Sequence, residues 1–201
     1  MVAIDLSGAF DTVHHETLFN DIAELPLNSH LTRFLFSYRS GSQTYVEFHG
    51  AKSKLRKMKQ GVPQGAILSP NLSNLYMSKL PSPPDNIKLV TYADDSTVLS
   101  SGPKIRLICE NLNAYLATLL DWFSNRNLEI SAPKLLATIF TTFSNEKGVN
   151  LQSTINGQPV RTKQDPKIVG LTFDPMLKFS RHIKNLKEKL NNKTNMLTRR
   201  R

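Results

Sequence analysis

The chain has 201 residues, 39% of them hydrophobic, which suits one folded domain with its own core, with or without a tail. Its formal charge of +10 favours an anionic partner, nucleic acid first and an acidic membrane second. The single cysteine, Cys109, excludes an internal disulfide, and no apolar run approaches the roughly 18 residues of a membrane span, so no membrane association through a spanning helix is expected.

The N-terminal end is predicted to form a strand and then a helix. Residues 1–6 are a short apolar run that carries the acid Asp5 near its end. A turn, with Asp11 or Thr12 as the candidate helix cap, leads into a helical pattern over residues 14–25, which Pro26 ends. The first acid of interest therefore lies where an apolar strand stops.

A helix and a hairpin come next. Asn28 or Ser29 is predicted to cap the helix, whose apolar residues share one face. Those residues are Leu31, Phe34 and Leu35. The hairpin has arms over residues 44–48 and 53–58 and a turn at His49-Gly50, and its second arm is basic. The basic residues are Lys52, Lys54, Arg56, Lys57 and Lys59. These residues either protect the edge of a strand against aggregation or contact phosphate groups, and both interpretations stay open.

The loop over residues 60–65 is built for a close approach of the backbone. Two glycines remove Cβ atoms, and Pro63 stiffens the path. Ser69 as N-cap and Pro70 as the first helical residue then predict a helix that runs to about Leu80.

Two adjacent aspartates, Asp94 and Asp95, lie between two apolar runs in the stretch 89–99. The runs read as strands, so the acids are predicted at the tip of a hairpin. Adjacent carboxylates repel, and a multivalent cation would neutralise them. The alternative is a solvated turn, because Asp is a common turn residue.

The C-terminal half begins with a long predicted helix, over residues 103–125, whose apolar side chains repeat at core-facing spacing. Strands are predicted over residues 135–143, 149–156 and 167–173, with a turn at Asn156-Gly157. From Lys178 onward the pattern is helical, with nine Lys or Arg against one acid, Glu188. Because the charge is one-signed, phosphate contact is favoured over an ordinary solvated face.

Three carboxylates, Asp5, Asp94 and Asp95, thus come from two separate strand ends. Phosphoryl transfer uses such a set, because two Mg²⁺ ions roughly 4 Å apart activate an attacking hydroxyl and stabilise the leaving oxygens. Periodicity alone does not bring Asp5 to the other two.

Three stretches of the chain resemble three successive motifs of reverse transcriptases and occur in the same order. Their residues are similar to those of the non-long-terminal-repeat, jockey-like branch of the family. They are Asp5-Leu-Ser-Gly-Ala-Phe10-Asp11, Gln60-Gly-Val-Pro-Gln-Gly65 and Tyr92-Ala-Asp-Asp95. Trp122, Leu128-Glu-Ile130 and Lys134 resemble the next motif of the family, and 167–174 is similar to the stretch that follows its palm. The resemblance covers nearly the whole chain.

The resemblance implies an α+β fold: a polymerase palm, an antiparallel sheet with helices packed behind it, plus a basic C-terminal helix that starts a thumb. It divides the chain into a palm over residues 1–143 and post-palm strands with the basic helix over residues 144–201. It also implies that Asp5, Asp94 and Asp95 hold two Mg²⁺ ions, with Mn²⁺ as an alternative.

The resemblance assigns further roles around these carboxylates. Phe10 would stack under the incoming sugar and exclude a 2′-hydroxyl, although core packing is the alternative for this ring. Gln64 and Gly65 would contact the nucleotide and template, and Tyr92 would lie near the primer end unless it is an ordinary strand aromatic. Lys134 would protonate the leaving pyrophosphate, although the usual small hydroxyl residue does not follow it.

The implied partners are an RNA template, a DNA primer and a dNTP, and the implied compartment is intracellular, in the nucleus or the cytoplasm. The family's fingers lie before the first motif, where this chain begins, so very low or no polymerase activity is expected of the isolated chain. Two rivals stay open: an inactive palm fragment that only binds nucleic acid, and a poorly folded product of a degraded copy.

Overall fold

The structure is a computed structural model, and it describes residues 1–39, 41–143, 146, 149, 151, 154–155 and 158–198. Its helices are α1 (His15–Ala23), α2 (Ser29–Arg39), α3 (Ser69–Met77), α4 (Ile105–Asn125) and α5 (Ser180–Thr198). Its strands are β1 (Val2–Ile4), β2 (Leu6–Ser7), β3 (Gln43–Thr44), β4 (Glu47–Phe48), β5 (Ala51–Lys52), β6 (Arg56–Lys57), β7 (Ile87–Tyr92), β8 (Asp95–Ser100), β9 (Glu129–Ile130), β10 (Leu136–Ala137), β11 (Thr154–Ile155), β12 (Gln158–Pro159), β13 (Arg161–Thr162), β14 (Lys167–Ile168) and β15 (Leu171–Thr172).

The largest sheet has the strand order β13-β10-β1-β8-β7 and places the N-terminal strand at its centre. Neighbours in it are antiparallel except for β10 and β13, which run parallel. Val2 and Ile4 of β1 are buried, as expected for a central strand with both neighbours paired. The fold is therefore a mixed α/β fold whose main sheet is antiparallel apart from one pair.

Helix α4 covers this sheet and supplies much of the core. It packs against β8, and its buried residues repeat at the spacing of one helical face. Those residues are Cys109, Leu112, Tyr115, Leu116, Leu119 and Phe123. The predicted helix of 103–125 is confirmed with a start two residues later, because Pro103 and Lys104 lie outside the helix.

The helices around the first turn differ from the prediction in detail. The N-cap of α1 is His14, and both Asp11 and Thr12 lie in the preceding turn, so the prediction of either as the helix cap is wrong. Asn28 caps α2 as predicted, since its Oδ1 accepts a hydrogen bond from the Leu31 amide at 2.8 Å. However, Leu31 and Phe34 are 42% and 51% exposed, so the apolar face of α2 is only partly covered.

The hairpin between α2 and α3 forms two short ladders, β3–β6 and β4–β5, in place of two continuous arms. Its tip is at His49-Gly50, as predicted, and both residues have positive φ (49° and 81°), as a type I′ turn requires. The basic second arm is exposed along the two short strands β5 and β6.

Three local predictions are wrong or shortened. Ser69 is not the N-cap of α3, because Leu68 occupies that position. The Ser69 hydroxyl instead donates a hydrogen bond to the Pro63 carbonyl. The helix ends at Met77 and not at about Leu80 as predicted. The strand predicted over 135–143 is reduced to β10.

The stretch predicted as one strand over 167–173 is a hairpin, β14–β15. Val169 and Gly170 turn it with φ of 46° and 83°, so the apolar run reverses direction in its middle. The turn predicted at 156–157 lies outside the described residues, although β11 and β12 on either side of it are paired.

Helix α5 closes the described chain. It packs on β15 and exposes apolar side chains at Ile183, Leu186 and Leu190. In the described part of the chain, no helix combines the length and hydropathy that a membrane crossing needs.

Candidate active site

The carboxylates of the first strand and of the hairpin meet through the register of β1 on β8. Ile4, the last residue of β1, pairs with Ser96, so Asp5 directly follows β1 where Asp95 begins β8, and both acids line one cavity. Asp94 occupies the two-residue loop between β7 and β8, where Ala93 takes a positive φ of 54°.

Lys134 comes to the same place by a short detour of the chain. After β9 pairs with β2, the Ser131 amide donates to the Asp5 carbonyl at 2.9 Å, and a 3₁₀ turn over Ala132–Lys134 follows. The turn brings the Lys134 ammonium to 2.8 Å from Oδ2 of Asp5. An acid from the first motif and the lysine of the fourth therefore form an ion pair.

The electrostatics of Asp95 reflect this crowding of charges. Its pKa is raised above the ordinary value by burial, and then by the negative charges of Asp94 and Asp5, while Lys134 lowers it. The pKa of Lys134 is itself raised, chiefly by its hydrogen bond to Asp5, so its ammonium form is favoured. The site therefore keeps an excess of negative charge at the hairpin tip and a protonated lysine beside it.

Carboxylate oxygens are the donors that Mg²⁺ prefers. Burial raises the pKa of Asp95 most, and the nearby charges of Asp94 and Asp5 raise it further, so a cation at this place would favour the ionised carboxylate. The donor chemistry thus fits a divalent ion. Within the described residues, however, no group of three or more His, Cys, Asp or Glu side chains is arranged to hold a metal. Lys134 is the cation that Asp5 contacts in this arrangement.

A cavity of about 350 Å³ opens beside this cluster, and its walls carry charges of both signs. Its charged lining consists of Asp5, Asp95, Lys134, Arg161, Lys163 and Lys167. Sequence reasoning did not assign the last three to the site. The i, i+2 spacing of Arg161 and Lys163 indicates that the two side chains share one face of a strand. Their proximity to the carboxylates, however, depends on the parallel pairing of β13 with β10.

The loop over residues 60–65 docks against the first motif. The Val62 amide donates to the Phe10 carbonyl at 2.7 Å, and Gln64 Nε2 donates to Asp11 Oδ1 at 3.2 Å. Gly61 has φ of 85°, and a Cβ there would lie 2.8 Å from the Asp11 carbonyl oxygen. The glycine is therefore required by a close approach of two backbone segments.

The remaining predicted site residues do not line this cavity. Phe10 is half-buried and packs against the core, and Gly65 is exposed with a positive φ. Tyr92 is 68% exposed and pairs with Asp95 across the hairpin. The structure thus brings Asp5, Asp95 and Lys134 to one cavity, and it joins Gln64 to the turn that follows Phe10.

A model of the family "Reverse transcriptase (RNA-dependent DNA polymerase)" matches residues 1–173. The "RNA-directed DNA polymerase from mobile element jockey" of Drosophila melanogaster is 31% identical over 192 residues, which are 92% of this chain and 20% of that protein. The "Probable RNA-directed DNA polymerase from transposon BS" of the same species is 32% identical over 193 residues, covering 91% of this chain and 21% of that protein. A "Retrovirus-related Pol polyprotein from type-1 retrotransposable element R2" of Popillia japonica is 28% identical over 148 residues, 67% of this chain and 20% of that protein. The chain thus spans about a fifth of the length of these relatives.

Proposed function

The chain belongs to the reverse transcriptase family, and on that premise we propose that it forms the palm of an RNA-directed DNA polymerase from a jockey-like mobile element. In the proposed reaction, the 3′-hydroxyl of a DNA primer attacks the α-phosphate of a dNTP that is paired with an RNA template, and pyrophosphate leaves. The proposed place of action is intracellular, in the nucleus or the cytoplasm.

The observation that carries the proposal is that Asp5 and Asp95 line one cavity, with Lys134 paired to Asp5 and the charge of Asp94 acting on Asp95. In this assignment Asp5, Asp94 and Asp95 would hold two Mg²⁺ ions, or Mn²⁺ in their place. When bound, such ions supply positive charge for an attacking and a leaving oxygen.

The residues around the carboxylates act on the substrates in this proposal. Lys134 holds a proton on Nζ, favoured by its ion pair with Asp5, and delivers it to the pyrophosphate leaving group. Phe10 stacks under the sugar and excludes a 2′-hydroxyl, so dNTPs are preferred over NTPs. Gln64 and Gly65 contact the nucleotide and template, and the exposed ring of Tyr92 lies near the primer end.

The basic excess of the chain is consistent with these partners, because template and primer present continuous phosphate charge. In this proposal helix α5 forms the start of a thumb, because it follows the hairpin β14–β15 in the chain and is rich in basic residues.

Primer extension on an RNA template with an annealed DNA primer tests the proposal. The parent chain is compared with Asp94→Asn and Asp95→Asn, and with Asp85→Asn as a matched control, since Asp85 is an exposed acid in the turn before β7. Metal-dependent extension that is lost in the first two variants and kept in the control supports the polymerase. Extension that survives Asp95→Asn contradicts the assignment. Binding of the hybrid without extension by any of these chains indicates a palm that only binds nucleic acid.

A further inference from the structure

We propose that Arg161, Lys163 and Lys167 form a phosphate-binding site beside the candidate catalytic carboxylates. The ligand is a phosphate group, supplied either by the nucleotide and its pyrophosphate or by the nucleic acid backbone. The inference rests on the proposed function in one respect: a polymerase binds both the phosphates of a nucleotide and those of a nucleic acid backbone.

The fold places these cations next to Lys134. Strand β13 pairs in parallel with β10, so that Arg161 lies opposite Leu136, two residues after Lys134. The Lys163 amide extends this pairing by donating to the Ala137 carbonyl at 2.8 Å. Residues two apart on a strand project to the same side, and both side chains line the cavity that Asp5 and Asp95 also line.

Lys167 reaches the same cavity from a different element. It opens the hairpin β14–β15, whose residues Ile168 and Val169 complete that wall. The cavity therefore has carboxylates on the β1–β8 side and cations contributed by β13 and β14. This is a concave arrangement, unlike the exposed row of lysines on the hairpin between α2 and α3.

Arg161, Lys163 and Lys167 have no carboxylate partner among the residues that the structure describes. Within the described residues, the cavity holds two carboxylates against four cations, and the ion pair of Lys134 with Asp5 accounts for one of each. No ion pair to Arg161, Lys163 or Lys167 is formed in the same part of the chain. The acid nearest to them in sequence, Asp165, binds Arg181 instead, with the guanidinium 2.8 Å from Oδ2.

An exposed cation without a partner is ordinarily solvated, but three of them in one concavity attract an anion. Phosphate is the anion that fits, because it accepts several charge-assisted hydrogen bonds at once and Arg engages it with two parallel N–H groups. The same cavity is lined by Asp5 and Asp95, so a phosphate bound by the cations would lie beside the groups that the proposed function places at the reacting centre.

The test measures binding without catalysis, in EDTA. The variants are Arg161→Gln with Lys163→Gln together, Lys167→Gln alone, and Arg161→Lys as the charge-preserving form. Lys104→Gln is the matched control, because Lys104 is exposed and precedes α4 outside the cavity. Inorganic pyrophosphate is titrated calorimetrically, and a fluorescein-labelled RNA–DNA hybrid is titrated by anisotropy between about 50 and 200 mM salt. A thermal melt of each variant verifies that it is folded.

Each removed cation is expected to weaken binding of the relevant probe about two- to fivefold, the range of an exposed ion pair, and Arg161→Lys to weaken it less. Weaker pyrophosphate binding identifies the nucleotide's phosphates as the ligand. Weaker hybrid binding, with the slope of log affinity against log salt reduced by about one per cation, identifies the nucleic acid backbone. Unchanged binding of both probes, relative to Lys104→Gln, overturns the inference, as does a parent chain that binds neither.

Failure of this inference and failure of the proposed function are distinguishable. Phosphate binding in EDTA does not require Asp94 or Asp95 to hold a metal, so a chain without metal-dependent extension still gives a result here. Conversely, extension that depends on Asp95, together with unchanged binding of both probes by the Arg161 and Lys163 variants, retains the polymerase and removes the phosphate site.

Discussion

The Lys134 ammonium lies 2.8 Å from Oδ2 of Asp5, joining two residues that are 129 positions apart in the chain. It is a contact between the lysine proposed to donate a proton and a carboxylate proposed to hold a metal. Because a carboxylate oxygen engaged by an ammonium is less available to a cation, the two roles compete for Asp5 in this arrangement.

This competition makes a prediction for divalent-ion affinity. Lys134→Met is expected to bind Mn²⁺ about two- to fivefold more tightly than the parent, because the competing ion pair is partly exposed and of modest strength. Asp5→Asn is expected to bind it more weakly. Titration followed by the electron paramagnetic resonance of free Mn²⁺ measures both. Lys134→Arg keeps the competing charge and serves as the control. Weaker Mn²⁺ binding by Lys134→Met than by the parent would contradict the prediction.

The raised pKa of Asp95 makes a second prediction, for stability in metal-free buffer. Burial and the charges of Asp94 and Asp5 disfavour its ionised form in the folded chain. The pKa of Asp95 is higher in the folded chain than in the unfolded chain. Its carboxylate therefore does not destabilise the folded state below the ordinary value of 3.8, and the destabilisation appears as the pH rises through the folded pKa. Asp95→Asn should therefore raise the melting temperature at about pH 7, by roughly 1–3 °C, and give less gain at about pH 4.

Asp85→Asn is the control for this measurement, since an exposed acid outside the cluster should give no pH-dependent gain. Equal gains from the two substitutions across the pH range would show that Asp95 is not under electrostatic strain.

The sequence predicted best those elements that depend on neighbouring residues. The turn at His49-Gly50, the Asn28 cap and the core face of α4 follow from local chemistry, and the structure has all three. The prediction of one strand over residues 167–173 is wrong because a continuous apolar stretch is typical of a strand. In the structure the chain turns at Val169, a β-branched residue with positive φ. Nothing in that residue type signals a turn.

The site residues likewise divide into those that the sequence singles out and those that depend on contacts between distant parts of the chain. Asp94 and Asp95 stand out in the sequence because two acids interrupt an apolar pattern, and the motifs single out Asp5 and Lys134; their roles remain predictions. Arg161 and Lys163 could not be assigned, because their distance from the carboxylates depends on the parallel pairing of β13 with β10, a non-local contact that strand periodicity does not encode.

A pair of glycines in the loop over residues 60–65 gives a third prediction with a built-in control. Gly61 and Gly65 have nearly the same φ, 85° and 84°, but a Cβ at Gly61 would lie 2.8 Å from a backbone oxygen, while a Cβ at Gly65 would meet nothing within 4 Å. Gly65→Ala should therefore cost only the strain of the left-handed backbone, about 1–2 kcal/mol. Gly61→Ala should cost clearly more, because the loop must also move away from Asp11.

Urea unfolding of the two variants measures the difference. If Gly61→Ala is no less stable than Gly65→Ala, the loop is not held against the first motif as closely as the structure has it.

The fourth prediction concerns a buried ion pair at the end of α4. Arg126 Nη1 and Nη2 donate to the two oxygens of Asp21 at 2.6 and 3.1 Å, and Lys79 Nζ lies 2.9 Å from Oδ1. Asp21 is only 3% exposed. Burial raises its pKa, but the hydrogen bonds from Arg126 and Lys79 outweigh burial, and the net pKa lies below the ordinary value of 3.8. The stability that this pair contributes is therefore present above that value and is lost as the pH falls through the folded pKa.

Arg126→Met should lower the free energy of unfolding at about pH 7 by about 3–5 kcal/mol, because it leaves a buried carboxylate with only the more exposed Lys79 as a partner. Lys79→Met, the control, should cost clearly less, because this ammonium is the more exposed partner and an exposed ion pair contributes little. In Arg126→Met the burial that raises the pKa of Asp21 is no longer outweighed, so the carboxyl takes up a proton more readily. The stability gap to the parent should then narrow as the pH is lowered toward about 4. Denaturant unfolding across that pH range measures the gap, and a loss that is equal in the two variants, or independent of pH, would show that the charge of Arg126 does not stabilise Asp21.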